Sequence, residues 1–305
     1  MTRPSGHDVP PGATPDPVTR LLEVLDIREV PPDPYDTASL ATDHFQGDSL
    51  PQLTGRVFGG QVLAQSLLAA ARTVPDGRLP HSMHGYFLRP GIADQGIDFA
   101  VERLRDGRSF SARRTHALQA GRPILSMAAS FQDVQDGIEY ALTMPAAPDP
   151  TELTSAAEAL SEIDHPVAKF WTEQNAFDLH HVDEHIYVGP DRQGAGDQLV
   201  WVRARGPVPD DQVLHRALLA FCCDLVMLEP VLRRGGLAWT TPGLSIASLD
   251  HAMWWHRDVR VDEWLLFAQS TSSAQGGRGL GHARVYAEDG ALVASMAQEG
   301  MVRVP

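Results

Sequence analysis

Residues 59–72, GGQVLAQSLLAAAR, are the stretch that decides the fold. Two glycines open a run of helix-forming residues, and small or apolar side chains lie nearly all the way round its helical projection. A helix that is apolar on every side is buried inside a protein rather than lying on its surface. The stretch therefore predicts a central helix that other elements must surround.

Strand-like segments follow this helix. Apolar side chains alternate in residues 97–101 and 125–131, which is the period of a strand with one buried face. Asp106-Gly107 and Ala120-Gly121 supply turns of the kind that join antiparallel strands. The pattern predicts an antiparallel sheet wrapped around the helix, with strands at 81–89, 97–104, 109–118 and 123–132.

The second half of the chain repeats this order. A mostly apolar helix at 215–228 precedes strand-like segments at 244–257, 263–271, 278–287 and 291–302. Tyr86-Phe87-Leu88-Arg89 corresponds to Trp254-Trp255-His256-Arg257 at an offset of 168, and residues 121–128 correspond to 290–297 at an offset of 169. Two matches at nearly one offset predict an internal duplication.

The duplication sets the predicted domain boundaries. Residues 1–19 are rich in proline and poor in large apolar side chains, so we expect a disordered tail. An N-terminal domain at 20–135 begins with a short amphipathic helix at 18–30, which ends before Pro31. A connector at 136–180, with a helix near 153–160, leads to a C-terminal domain at 181–305.

Composition restricts the partners. The formal net charge of −14 disfavours binding to nucleic acid or to an anionic membrane surface. No segment has the ~20 consecutive apolar residues of a membrane helix. The two cysteines, Cys222 and Cys223, are neighbours on one helix and cannot readily form a disulfide with each other, which fits a reducing compartment. Without a recognisable secretory signal, the expected location is the cytoplasm.

Asp224 is the one charged residue of its apolar helical run, and a carboxylate buried there without hydrogen-bond partners would cost several kcal/mol. Ser248, on a strand-like segment, and Gln298, on the last one, carry suitable donors. The residues alone leave two interpretations open. Asp224 lies on a solvated stripe and the other two are structural, or the three meet at a site.

At this point the chain resembles the acyl-CoA thioesterase II family, over about 260 residues from Phe45 to Arg303. The blocks that carry the resemblance are Val57-Phe58-Gly59-Gly60-Gln61, residues 81–91 (HSMHGYFLRPG), residues 105–114 (RDGRSFSARR), residues 250–257 (DHAMWWHR) and Gln298-Glu299-Gly300. The resemblance implies an α+β fold, the double hotdog, in which two tandem hotdog domains each wrap an antiparallel sheet around a central helix.

The resemblance also implies a hydrolase of acyl-CoA thioesters that needs no metal and no cofactor. The family's site is an aspartate on the second central helix, a threonine or serine on a following strand and a glutamine on the last strand. These correspond to Asp224, Ser248 and Gln298. Asp224 is then the general base for water. At the duplication offset, Ala129 and Pro80 replace Gln298 and Ser248, which predicts one site per chain.

Substrate contacts are predicted at two places. The start of the first central helix, Gly59-Gly60-Gln61, offers free N–H groups for the oxyanion. Because the protein is acidic, coenzyme A phosphates require local arginines, for which Arg113 and Arg114 are favoured, one facing the ligand and one in a structural ion pair. The other candidates considered are Arg56, Arg89, Arg257 and Arg303. By analogy with other hotdog proteins, we expect a homo-oligomer.

Two other functions remain open. A hotdog hydratase or dehydratase needs an aspartate–histidine pair, for which Asp250-His251 is the adjacent candidate, although strand neighbours face opposite sides. A non-catalytic acyl-CoA-binding protein is the second alternative. The histidine-rich residues 180–185 are interpreted as a solvated loop or strand edge, His84, His251 and His256 as packing or hydrogen-bonding residues, and residues 276–279 as a turn.

Overall fold

A computed structural model of the chain describes residues 15–31, 40–164 and 166–304. Its helices are α1 (Pro17–Leu25), α2 (Gly59–Ala71), α3 (Ala156–Leu160), α4 (Pro166–Lys169), α5 (Gln212–Cys223) and α6 (Glu229–Arg234). Its strands are β1 (Arg28–Val30), β2 (Asp43–Gly47), β3 (Leu79–Phe87), β4 (Ile97–Asp106), β5 (Phe110–Gln119), β6 (Arg122–Gln132), β7 (Phe177–His181), β8 (Gln198–Ala204), β9 (Ser245–Ser248), β10 (Asp250–Trp255), β11 (Leu265–Gln275), β12 (Arg278–Ala287) and β13 (Leu292–Arg303). Most of the predicted tail, residues 1–14, lies outside the described residues.

One continuous sheet joins the two halves of the chain. The strand order is β1-β2-β4-β5-β6-β3-β10-β13-β12-β11-β8-β7, and β9 pairs with β13. The first half, β2-β4-β5-β6-β3, has the same order as the second, β8-β11-β12-β13-β10. Each half also contains one long buried helix, α2 or α5. This arrangement confirms the α+β double hotdog and the internal duplication.

The two copies meet edge to edge at β3 and β10. These strands are antiparallel, and His84 lies opposite Ala252. The separation of this pair, 252 − 84 = 168, equals the offset of the sequence repeat. A local two-fold axis therefore passes between β3 and β10 and exchanges the copies.

The central helix α2 is buried on nearly all sides, as predicted from its sequence. Its start packs against the end of α5, where Gly60 lies directly on the backbone carbonyl of Phe221. A Cβ atom at Gly60 would overlap that carbonyl, so glycine permits the two central helices to approach closely. In the part of the chain that is described, no helix is long and apolar enough to cross a membrane.

The N-terminal helix is shorter than predicted. Asp16 caps α1, which already contains residues 17–19 of the expected tail and ends at Leu25. The apolar spacing ends at the same residue, and Arg28–Val30 pairs with β2 as an edge strand. Strands β2, β7 and β8 were not predicted, and β7 crosses the boundary predicted at 180/181.

Two breaks in predicted elements shape the functional end of the sheet. The predicted helix at 215–228 ends at Cys223, and a turn leads to α6, whose first turn contains Pro230. This turn lies directly on strand backbone, with Met227 against Gly281 of β12 and Leu228 against Gly300 of β13. The predicted strand at 244–257 divides into β9 and β10. Both breaks bring polar residues to β13.

Candidate active site

Three polar side chains from separate elements meet beside β13. Asp224 is the C-cap residue that follows α5, Ser248 ends β9, and Gln298 lies within β13. The Ser248 hydroxyl donates to Asp224 Oδ1 at 3.0 Å, and Gln298 Nε2 donates to the same oxygen at 2.8 Å. Gln298 Nε2 also lies 2.8 Å from Ser248 Oγ. The structure thus brings together the three residues predicted from the sequence.

The carboxylate of Asp224 is held through one oxygen. Among the residues that the structure describes, Ser248 and Gln298 donate hydrogen bonds to this side chain, and both bonds end at Oδ1. The second oxygen, Oδ2, faces the start of α2, where a Cβ atom on Gly59 would lie only 2.7 Å away. Any side chain at position 59 would press on this oxygen or on the Phe87 ring, at 3.0 Å. Oδ2 is therefore the oxygen placed to act on a bound molecule.

The start of α2 supplies backbone N–H groups beside this oxygen. The N–H groups of Gln61 and Val62 donate to the carbonyl of Phe58 at 3.2 and 3.4 Å. The N–H groups of Gly59 and Gly60 precede the first intrahelical acceptor and have none within the helix. Of the three residues predicted to offer free N–H groups, Gly59 and Gly60 are therefore the two that remain candidates.

Gln61 has a different place from the one predicted. Its amide is fully buried, donates to the carbonyl of Asp48 at 3.1 Å and accepts from the N–H of Leu50 at 2.9 Å. Its backbone N–H is already bonded to Phe58. Gln61 therefore anchors the loop before α2 and does not point toward Asp224.

A cavity of about 500 Å³ lies next to Asp224 and Ser248, between the two copies. Apolar side chains form most of its wall, namely Val57, Phe58, Val62, Phe87, Leu88, Ile124, Leu228, Trp239, Ile246 and Leu249. The exposed side chains of Arg56 and Arg89 also line it. An apolar cavity with a few polar groups at one end is suited to a ligand that is partly hydrocarbon.

A second cavity, of about 650 Å³, occupies the place related by the local two-fold. Trp255 lines it where Phe87 lines the first (255 − 87 = 168), and Val293 lines it where Ile124 does (293 − 124 = 169). Although larger, it contains none of the three clustered residues. The geometry supports one site per chain, at the smaller cavity.

Neither arginine of the favoured pair lines the cavity, and Arg113 forms a structural ion pair with Asp106. Arg113 is fully buried, and its guanidinium donates to Thr73 Oγ1 at 2.7 Å and to Asp106 Oδ1 at 2.8 Å. Arg114 faces the other side of β5, where it lies 3.5 Å from Glu102. Strand alternation does place the two on opposite faces, but the inward face here is packed core and not a cavity.

His251, which the sequence assigned to packing or hydrogen bonding, touches the cluster. It is 1% exposed, and its Nδ1 lies 2.6 Å from Gln298 Oε1. The neighbouring Asp250 accepts a hydrogen bond from the N–H of Glu299 at 2.8 Å. Neither side chain lines the cavity. The pair that a hydratase would need is therefore divided between two faces of β10.

The two cysteines are unsuited to covalent catalysis. Both are buried, and burial raises the pKa of each thiol above its ordinary value. A thiol with a raised pKa is protonated at neutral pH and is a poor nucleophile. Cys223 instead lies 3.5 Å from His251 Nε2.

The histidine-rich segment at 180–185 includes a strand edge, as predicted: His180 and His181 end the edge strand β7, and Asp183 and Glu184 after them are exposed. His181, on edge strand β7, is buried, and its Nε2 lies 2.9 Å from the buried carboxylate of Glu229. Gln198 Nε2 and Trp239 Nε1 donate to the same carboxylate at 2.9 and 3.1 Å. This cluster lies at the start of α6, immediately after the turn that follows Asp224.

Comparison with known proteins agrees with the geometry. Residues 48–132 match the acyl-CoA thioesterase N-terminal domain, and residues 145–302 match the acyl-CoA thioesterase C-terminal domain. Acyl-CoA thioesterase 2 of Haemophilus influenzae is 33% identical over 85% of this chain and 92% of its own length. Human acyl-coenzyme A thioesterase 8 is 33% identical over 87% of this chain and 86% of its own.

A solved structure extends the agreement to the fold. The acyl-CoA thioesterase II TesB2 from Mycobacterium marinum superposes with a TM-score of 0.72 at 40% identity, covering 93% of this chain and 98% of its own. Sequence, domain order and backbone therefore lead to one assignment. The chain belongs to the acyl-CoA thioesterase II family.

Proposed function

We propose that this protein hydrolyses acyl-CoA thioesters to a free fatty acid and coenzyme A, with Asp224 as the general base. One observation carries the proposal: a carboxylate fixed through Oδ1 presents Oδ2 beside an apolar cavity. The family membership supports the substrate class. A thioester is already reactive toward acyl transfer, so a positioned base and water suffice.

In the proposed mechanism, Asp224 Oδ2 removes a proton from a water molecule while the oxygen of that water attacks the thioester carbonyl carbon. Ser248 and Gln298 keep the carboxylate in one orientation during this step. The N–H groups of Gly59 and Gly60 stabilise the negative oxygen that forms. When the carbon–sulfur bond breaks, the proton held by Asp224 passes to the departing thiolate.

The simplest test follows thiol release from an acyl-CoA with a thiol reagent. Hydrolysis releases one thiol for each acyl group. A hydratase converts an enoyl-CoA without releasing thiol, and a non-catalytic acyl-CoA-binding protein binds the ligand and converts nothing. Hydration without thiol release, or tight binding without turnover, would show that the proposal is wrong.

Coenzyme A phosphates are expected to bind Arg56 and Arg89 at the cavity. Replacing both arginines with methionine should raise KM for acyl-CoA about ten- to hundredfold, since hydrogen bonds to charged groups contribute about 1.5–3 kcal/mol. Hydrolysis of a short acyl thioester that lacks the nucleotide should be unchanged. Added salt should weaken the first reaction and spare the second. Steady-state kinetics on both substrates measure the difference.

Arg114 provides the matched control for this prediction. It is also an exposed arginine, but it pairs with Glu102 on the outer face of the sheet. Its replacement by methionine should leave KM for acyl-CoA unchanged. An Arg56/Arg89 double variant that does not distinguish the two substrates would place nucleotide recognition elsewhere.

We further infer that the protein acts in the cytoplasm as a homo-oligomer that binds neither nucleic acid nor membrane. The two free thiols support a reducing compartment such as the cytoplasm. The net charge of −14 opposes binding to nucleic acid or to an anionic membrane. The segment after β6 exposes Val134, Ile138 and Tyr140 by 88%, 93% and 91%. Apolar side chains this exposed favour association with another chain.

A further inference from the structure

His251 occupies a position behind the candidate active site that the proposed mechanism does not use. It lies on β10, fully enclosed, with Nδ1 at 2.6 Å from Gln298 Oε1. The amide nitrogen of Gln298 points the other way and lies 2.8 Å from both Asp224 Oδ1 and Ser248 Oγ. His251 is thus separated from the base by one side chain.

The donors and acceptors that link His251, Gln298 and Asp224 can be arranged in only one way. An ionised carboxylate accepts hydrogen bonds and donates none, so Gln298 must present its NH₂ group to Asp224. The Gln298 carbonyl must then face His251, and an acceptor there requires a proton on Nδ1. Burial, the strongest influence, lowers the pKa of His251 despite the opposing hydrogen bond to Gln298. The ring is therefore neutral, with its single N–H at Nδ1.

The second ring nitrogen is consistent with this tautomer. Nε2 then carries a lone pair, and the thiol of Cys223 lies 3.5 Å away, within reach as a weak donor that it shares with the Ala220 carbonyl at 3.1 Å. Cys223 belongs to the last turn of α5, next to Asp224. Neither nitrogen faces the cavity, so the imidazole cannot itself reach a substrate.

We propose that His251 is a positioning residue whose Nδ1–H fixes the orientation of the Gln298 amide and, through it, the Asp224 carboxylate and the Ser248 hydroxyl. This inference rests on the proposed function. The two ends of a glutamine amide have nearly the same shape, so packing alone selects neither. In the reversed orientation a carbonyl oxygen would face Asp224 Oδ1, the hydrogen bond to the carboxylate would become a repulsive contact, and the two oxygens would compete for the single proton of Ser248.

The first test examines the unmodified protein. Long-range ¹H–¹⁵N NMR spectra of histidine-labelled protein distinguish the two neutral tautomers of a ring. We expect His251 as the Nδ1–H tautomer, and we expect it to protonate at a lower pH than exposed histidines, which titrate near 6.5. An Nε2–H tautomer would overturn the proposal, because it leaves no donor for Gln298.

The second test compares two variants of similar size. Asparagine at position 251 has an N–H near the place of Nδ1, whereas leucine has none. His251→Leu should lower kcat for acyl-CoA hydrolysis about ten- to hundredfold, with KM changed less than about threefold. His251→Asn should recover most of kcat. Equal losses in the two variants would indicate a role in packing alone.

A double-mutant cycle with Gln298 completes the test. If His251 acts through Gln298, His251→Leu should have almost no further effect on kcat in a Gln298→Ala background. Additive losses would overturn the proposal. Thermal unfolding of each variant shows whether the comparison is between folded proteins, and the NMR result stands even if leucine is not tolerated. An active wild-type enzyme with the other tautomer would refute the positioning role and leave the proposed hydrolysis intact.

Discussion

Replacing Asp224 with asparagine is expected to lower kcat for acyl-CoA hydrolysis by about 10² to 10⁴, the usual loss when a general base is removed. Asparagine keeps the shape of the side chain and can still accept from Ser248 or Gln298 at one atom. It cannot take a proton from water at the position of Oδ2. The fold should be retained, because Asp224 is only half-buried and lies at the end of α5.

The measurement is steady-state thiol release by the purified variant, with its unfolding curve as evidence of folding. Asp250→Asn is the matched control. Asp250 is also a half-buried aspartate near the cluster, but its carboxylate accepts from the N–H of Glu299 and does not line the cavity. Asparagine can still accept that bond, so kcat should change little. Turnover by Asp224→Asn close to that of the wild type would show that another group activates the water.

The architecture could be predicted because its signals are local and occur twice. The mostly small and apolar run at 59–72 predicts a buried helix, and each alternating segment after it has one apolar face to pack on that helix. The offset of 168 to 169 then fixes the second copy. The same offset recurs as the separation of His84 and Ala252 across β3 and β10.

The short strands could not be predicted, since tertiary pairing creates them. Strand β2, with the sequence Asp-His-Phe-Gln-Gly, has one large apolar residue and no clear alternation. The turn after Asp224 was also hidden, because residues 225–228 are all apolar and continue the helical pattern. The turn packs on the sheet at Gly281 and Gly300, which are remote in sequence and leave room for it because they have no side chain.

The side chains of the candidate site were predictable to different degrees. Asp224, Ser248 and Gln298 are polar residues in apolar surroundings, and the family pattern joins them. For Arg113, alternation predicts an inward side chain but cannot tell a cavity from a core containing Thr73 and Asp106 as partners. The link from His251 to Gln298 depends on ring and amide orientation, which the sequence does not encode locally.

Removing the carboxylate of Glu229 is expected to cause the largest loss of stability of any change considered for this protein. Glu229 is fully buried and accepts from His181, Gln198 and Trp239. Gln198 also donates to Gln269 at 2.7 Å. Glu229→Ala removes the shared acceptor of these three side chains, of which His181 and Gln198 are buried and Trp239 is partly buried, and opens a cavity. We expect the free energy of unfolding to fall by about 3–5 kcal/mol.

The same carboxylate should make stability depend on pH. Burial by itself raises the pKa of Glu229, but the His181 imidazole and the hydrogen bonds of Gln198 and Trp239 outweigh it and hold the pKa below its ordinary value. A group with a lowered folded-state pKa stabilises the fold above its unfolded pKa, and this contribution disappears as pH falls through the folded value. The loss in the free energy of unfolding caused by Glu229→Ala should therefore be largest at neutral pH and become smaller in acid, below about pH 4.

Urea unfolding of the wild type and Glu229→Ala at several pH values measures both effects. Glu139→Ala is the control, since Glu139 also pairs with a base, Arg257 at 3.2 Å, but on the surface with 76% of its side chain exposed. An exposed pair contributes at most about 1 kcal/mol, so this variant should stay close to the wild type. If Glu229→Ala loses no more than Glu139→Ala, water must replace the carboxylate as the partner of the three donors. The turn that carries Asp224 would then be held by its packing on Gly281 and Gly300 alone.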